Sequence, residues 1–239
     1  MIRGIFSAAS GMIAQYERIN VMGNNLDNAD SQGFKSDAVS LRSFDEELTE
    51  RTSDNAQIGT LDAGVKVGGV ETDLSQGELE QTGTATNVAI EGNGFFSVAA
   101  PGEPVRYTRA GNFVPDASGY LSLPSGQRLL DSTGVPVAAA GFRLQSNGAY
   151  TNAAGQAGTI PLYTGTATKR TDGFFDLTGA QAAAGSNLLQ GYVEKSNVSA
   201  VNGMTGLIEA SRSFQSCQQA YNTATDTLDK LVTQVGSLR

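Results

Sequence analysis

The run Leu207-Ile208-Glu209-Ala210-Ser211-Arg212-Ser213-Phe214-Gln215-Ser216-Cys217-Gln218-Gln219-Ala220-Tyr221 decides how this chain is built. Leu207, Ala210, Phe214, Cys217 and Tyr221 alternate at spacings of three and four, and Ala224, Leu228, Leu231, Val235 and Leu238 continue the series. Such spacing keeps one narrow stripe of an α-helix apolar, the pattern of a coiled-coil seam. The opposite end of the chain repeats it through Ile2, Ile5, Ala9, Met12, Tyr16, Ile19, Gly23 and Leu26. A chain whose two ends pair as helices around a Gly-rich β middle is suited to joining a larger assembly.

The first helix is expected from about Ile2 to Asn28. It closes in Asn24-Asn25-Leu26-Asp27-Asn28-Ala29-Asp30-Ser31-Gln32-Gly33, a cluster of turn formers that bond their own backbone and tolerate left-handed conformations. The last helix starts at Asn197 or Ser199, either of which can cap free amides, and runs about 40 residues to Ser237, or ~60 Å. A second row on it, Val201, Met204 and Ile208, lies beside the main stripe, so its first half can touch more than one neighbour. Small residues such as Gly4, Ser7, Gly11, Gly203 and Gly206 allow close approach by other helices. Each helical Gly costs about 1 kcal/mol relative to Ala, so these helices depend on packing.

Between the ends, Lys35 to Thr72 is polar, with a short helix expected over Ser43–Glu50 (Phe44, Leu48) and a loop at Thr52–Asn55. Strand signals begin at Val65–Val70. They recur at Val88–Ile90, Phe95–Val98, Val105–Thr108, Thr159–Tyr163, Gly173–Leu177 and Leu188–Val193, with Ala180–Gly185 as a loop. Glu91-Gly92-Asn93-Gly94, Asp116-Ala117-Ser118-Gly119, Pro124-Ser125-Gly126, Ser132-Thr133-Gly134 and Ser146-Asn147-Gly148 punctuate them as turns. The fold class is α+β: N- and C-terminal helices paired as a coiled coil, with a central, mainly antiparallel, barrel- or sandwich-like β domain. The expected division is 1–35 for the first helix, 36–74 for an extended linker, 75–192 for the β domain and 193–239 for the last helix.

Composition narrows the function. The chain has 239 residues, a net charge of -8 and no histidine, which removes the commonest general base and metal ligand. The acidic balance speaks against nucleic acid. One cysteine excludes an intramolecular disulfide framework and a thiolate cluster, and its place on the stripe makes Cys217 a packing residue. Asp45-Glu46-Glu47 reads as a solvated face, Gly92-Asn93-Gly94 as a hairpin turn rather than a phosphate loop, and Arg106 with Arg109 as ion-pair partners. No cofactor or metal is expected and the chain is not read as an enzyme. No segment is apolar enough to insert in a membrane, and the N-terminal apolar run is too broken for a cleavable signal peptide.

Three stretches resemble the flagellar basal-body rod and hook proteins. They are Ser7-Ala8-Ala9-Ser10-Gly11-Met12 with Asn24-Asn25-Leu26-Asp27-Asn28 and Gly33-Phe34-Lys35; Leu74-Ser75-Gln76-Gly77, Val88–Phe96 and Tyr107–Phe113; and Ser196-Asn197-Val198 with Leu207–Ala210 and Arg212–Gln215. Asp27, Ser31, Ser199 and Ser216-Cys217 depart from the usual residues without removing a turn former or breaking the stripe. The resemblance implies an axial subunit whose terminal segments form a coiled-coil inner layer of a tube, exported through the flagellar type III apparatus and polymerised in the periplasm. Its partners would be itself and other rod and hook subunits. The short linker and single β domain look most like the proximal-rod type adjoining the distal rod, with the distal type next. Assembly would rest on Ile2, Ile5, Ala9, Met12, Ile19 and Leu26, on the turn residues Asn24, Asn25, Asn28, Gly33 and Phe34, and on Met204, Leu207, Ile208, Phe214, Tyr221, Leu228, Leu231 and Val235. A monomeric helical hairpin serving as a binding or adaptor module is the alternative of a different class.

Overall fold

A computed structural model describes residues 2–43, 47–50, 57–61, 64–153, 155, 157–183 and 185–236, with the backbone alone for Ile2, 47–50, 57–61, Val235 and Gly236. Its elements are α+β, and the strands pair antiparallel. The chain divides into two compact units. One comprises residues 1–27, 37–73 and 199–239, and the other residues 28–36 and 74–198. These boundaries differ from those drawn on the sequence. The turn 28–36 belongs with the β body, and the segment expected as linker forms strands that belong with the helices.

In the helical unit, α1 (Ile2–Asp27) and α2 (Ala200–Gly236) run antiparallel. Gly203 approaches Leu26, Gly206 approaches Met22 and Gly11 approaches Cys217, which fixes the register. A Cβ on Gly206 would stand 3.0 Å from the Met22 methyl, and one on Gly11 would stand 3.1 Å from the Cys217 Sγ. Small residues therefore sit where the helices come closest, and Ala210 at this contact is fully buried. Ser199 caps α2, its Oγ accepting from the Asn202 amide at 3.4 Å. Strand Asp37–Ser43 pairs with Val65–Thr72 through a register shift at Ser40/Leu41, and Glu47–Glu50 pairs with Gln57–Leu61. Within the short helix expected over Ser43–Glu50, residues 47–50 pair as a strand instead, because an antiparallel partner satisfies backbone groups that a polar helix of about two turns holds only marginally. Phe44, Asp45 and Glu46 and the expected loop Thr52–Asn55 lie outside the described residues.

The β body is built around Phe95–Ala99. This strand pairs with Arg106–Thr108 along one edge, and with Arg128–Leu129 and Leu162–Lys169 at opposite ends of the other. Leu162–Lys169 continues into Phe175–Ala182, which takes up part of the expected Ala180–Gly185 loop. A separate sheet joins Val88–Glu91 to Asn187–Gln190. Another pairs Leu79–Gln81 with Tyr192–Glu194, so the strand entering the body lies beside the strand leaving it. The described strands form one seven-stranded sheet, in which Leu162–Lys169 also pairs back onto Phe95–Ala99, and several two- and three-stranded ones. Val88, Ile90, Phe96, Val98, Phe113, Leu121 and Leu129 are essentially inaccessible, and Phe96 meets Phe113 edge-on at 5.5 Å. Burying each such side chain stabilises by roughly 1.5–3 kcal/mol. The Asp-led turns are held locally. Asp116 Oδ1 accepts from the Ser118 and Tyr120 amides, and Asp131 Oδ1 from those of Thr133 and Val135.

Candidate assembly surfaces

On the helical unit the C-terminal stripe is taken up largely within the chain. Leu207, Phe214, Tyr221 and Leu228 are half-buried with Cys217, on the side of α2 where Gly203, Gly206 and Cys217 meet α1. On α1, Ile5, Met12, Ile19 and Leu26 are half-buried. The register places the first residue of α1 level with about residue 226 of α2. The last turns of α2, including Leu231 (43% exposed) and Val232 (71%), therefore extend past it. The side chains of Ile2 and Val235 lie outside the described residues.

A second set of apolar side chains has no cover. Phe6, Ile13 and Tyr16 on α1 and Val201, Met204 and Ile208 on α2 are each more than half exposed. Met204 and Ile208 were expected here from the second row on α2. Phe6 and Ile13 were not singled out, because the stripe read through Ala9 and Tyr16 drifts between two faces of α1. One face meets α2; the other stands open. Exposed large apolar residues in a row, unlike single scattered ones, mark an interaction surface.

Of the turn residues, Asn24 is exposed, while Asn25 stays with the helical unit. Its carboxamide accepts from the Asp37 amide at 2.9 Å and donates to the Asp37 carbonyl at 2.7 Å, holding the following strand. Asn28, Gly33 and Phe34 belong to the β body. Asn28 accepts from Ser31 Oγ at 3.1 Å. Gly33 has a φ of 70°, and a Cβ there would lie 2.3 Å from the Ala110 nitrogen, so only glycine fits. Its amide donates to the Glu194 carbonyl at 2.7 Å. Lys169 Nζ stands 3.8 Å over the Phe34 ring and donates to the Lys35 carbonyl.

Beneath this turn lies a buried ionic cluster. The Glu194 carboxylate accepts from Lys35 Nζ at 2.5 Å and the Gly77 amide at 2.9 Å through Oε1, and from Arg109 Nη1 at 3.2 Å through Oε2. Lys35, Glu194 and Arg109 are at most 3% exposed. Lys35 also donates to the Ser75 carbonyl at 2.6 Å, and Arg109 lies 5.4 Å from the Phe95 ring centre. Alongside, Asn197 Oδ1 accepts from the Ser36 amide at 2.8 Å. Residues 33–36 and 194–197, far apart in sequence, are thus fastened side by side. Arg106 pairs instead with Asp172 at 2.6 Å, so both arginines are ion-pair partners as expected. Lys35 was noted as the start of a polar segment and within a resemblance, and Glu194 was not found, since nothing local links residues 159 positions apart.

Both cations pair with the one carboxylate of Glu194, while the Arg109 Nε is buried without a hydrogen-bond partner among the described residues, and the cluster fastens the turn 33–36 to the strand that ends at Glu194. Among the described residues no group of three or more His, Cys, Asp or Glu is placed to hold a metal, and no helix is long and apolar enough to cross a membrane.

Comparison with known proteins agrees along the chain. Residues 5–35 match a family described as flagella basal body rod protein, 89–152 the flagellar hook protein FlgE/F/G D1 domain, and 189–234 the flagellar basal body rod FlgEFG protein C-terminal region. The basal-body rod protein FlgG of Buchnera aphidicola is 27% identical over 97% of this chain and 99% of its own length. The rod protein FlgF of Rhizobium meliloti is 27% identical over the whole of both. The hook protein FlgE of Treponema pallidum is 36% identical, but over 52% of this chain and 28% of its own length.

Proposed function

The chain belongs to the flagellar basal-body rod and hook protein family, and on that premise we propose that it is a structural subunit of the rod. It self-assembles through its terminal helices, as coiled coil, into the tubular drive shaft that carries torque from motor to hook. The observation that carries this reading is the helical unit's uncovered apolar surface, formed by Phe6, Ile13, Tyr16, Val201, Met204 and Ile208, each more than half exposed. A rod role is favoured over a hook role because the similarity to the rod proteins of Buchnera and Rhizobium spans 97% or more of both partners, whereas that to the hook protein covers 52% of this chain and 28% of the hook protein. The single β body supports the proximal-rod type. In this reading the partners are further copies and other axial subunits. The chain is exported from the cytoplasm by the flagellar type III apparatus and polymerises in the periplasm. Torque passes because close-packed layers deform little.

The self-contained hairpin has one observation in its favour, that α1 and α2 cover part of each other's stripes. It leaves the second apolar faces and the overhang of α2 without a role. Leu231→Asp separates the two readings, because Leu231 lies beyond the first residue of α1. The variant is expected to keep a folded β body by amide exchange and to be missing from purified basal bodies. Normal rods containing it would overturn the proposal.

A further inference from the structure

Two stripes, one of exposed Ile13 and Tyr16 with half-buried Ala9 and one of exposed Val201, Met204 and Ile208, have spacings that fit each other. On α1, Gly11, Met22 and Leu26 face α2 and Ser10 Oγ accepts from the Val65 amide, which leaves Ala9, Ile13 and Tyr16 on the remaining face. On α2, Gly203, Gly206 and Cys217 face α1, and Val201, Met204 and Ile208 lie on the side away from it. Counting down α1, the steps from Tyr16 to Ile13 to Ala9 are three and then four. Counting up α2, the steps from Val201 to Met204 to Ile208 are also three and then four. Laid antiparallel, the stripes form three layers: Tyr16 on Val201, Ile13 on Met204, and Ala9 on Ile208. Each outer layer sets a larger side chain against a smaller one. Laid parallel, the steps run out of phase and the layers do not form.

Within one chain these layers cannot form. By the internal register Val201 is level with about residue 27 of its own α1, whereas the layers need it level with Tyr16. The two stripes also face different ways.

We propose that the Ala9–Ile13–Tyr16 face of one copy docks antiparallel on the Val201–Met204–Ile208 face of a second copy. This rests on the rod reading and names the contact it requires. The second copy is displaced by about eleven residues along the helix axis, or ~16 Å at 1.5 Å per residue. The joining surfaces are different, so the contact is heterologous: each copy offers one stripe forward and one back, and the row stays open. The internal seam and the new contact share α1, with Ile5, Met12 and Ile19 bordering both, so the docking extends an interface the chain already builds. Three layers are few beside the roughly 20–30 residues a side of a stable standard interface, so a lone pair is weak and the contact holds only when repeated.

The test places cysteines in a Cys217→Ala chain that replaces the wild type in its host. Basal bodies are treated with a short bifunctional thiol reagent and read on a denaturing gel. Ile13→Cys with Met204→Cys is expected to give a ladder of linked multimers. Phe6→Cys with Val201→Cys, out of register by about ten residues, is expected to give monomers. Ile13→Asp, on the exposed face, should leave the monomer folded and remove it from basal bodies. Incorporation of Ile13→Asp, or incorporated Ile13/Met204 cysteine chains that stay monomeric, would overturn the pairing and leave the rod reading standing. Absence of the wild-type chain from basal bodies would overturn both.

Discussion

The β body and the helical unit use apolar residues in opposite ways. In the body, Val88–Ile90 and Phe95–Val98 are buried on both faces, and even the charges of Lys35 and Arg109 are enclosed, both paired with Glu194. In the helical unit, Phe6, Ile13, Val201 and Val232 are two-thirds or more exposed. Helices of 26 and 37 residues present several faces, and one partner helix covers only one of them. The contrast teaches where this chain is finished and where it is not: the body carries its own core, and the helices hold apolar surface in reserve.

The difference can be broken first at the ionic cluster. Lys35→Met leaves Glu194 with one buried cation fewer and a desolvated carboxylate. Removing one partner of a buried pair costs about 3–5 kcal/mol. Chemical denaturation followed by amide exchange in residues 75–194 should show that loss, and an unchanged midpoint would mean that the body does not depend on the pair. Gly33→Ala should cost at least about 1–3 kcal/mol for the left-handed backbone, and more because its Cβ would stand 2.3 Å from the Ala110 nitrogen, so the turn must move away. Its loss should register as faster exchange in residues 28–36, and unchanged protection there would argue against the tight approach. Met204→Ala is the opposite case. An exposed change of this kind alters monomer stability by less than about 0.5 kcal/mol, yet recovery of the chain in basal bodies should fall. Equal loss in both measurements would place Met204 in the core and erase the contrast.

Much of this was legible in the residues themselves. Three-and-four spacing identified both helices nearly to their ends, since α1 stops at Asp27 and α2 begins at Ala200, one residue from a capping Ser199. Turn formers placed the hairpins, because Asp116 and Asp131 need only neighbours two and four residues on. Glu47–Glu50 was misread because its propensity is weak and its partner strand is what makes it β.

What the sequence by itself determined is therefore whatever a short window can hold: helical period, caps, turns, the apolar runs of the core strands, and motifs shared with a family. The tertiary structure alone decided which face of each helix is spent inside the chain and which is left open. It also assigned Gly33, Phe34 and Lys35 to the β body rather than to the helix they follow. Those outcomes depend on partners such as Glu194, 159 positions from Lys35, and on the register of two helices at opposite ends of the chain. Burial and ion pairing are properties of such distant pairs, and no local pattern encodes them.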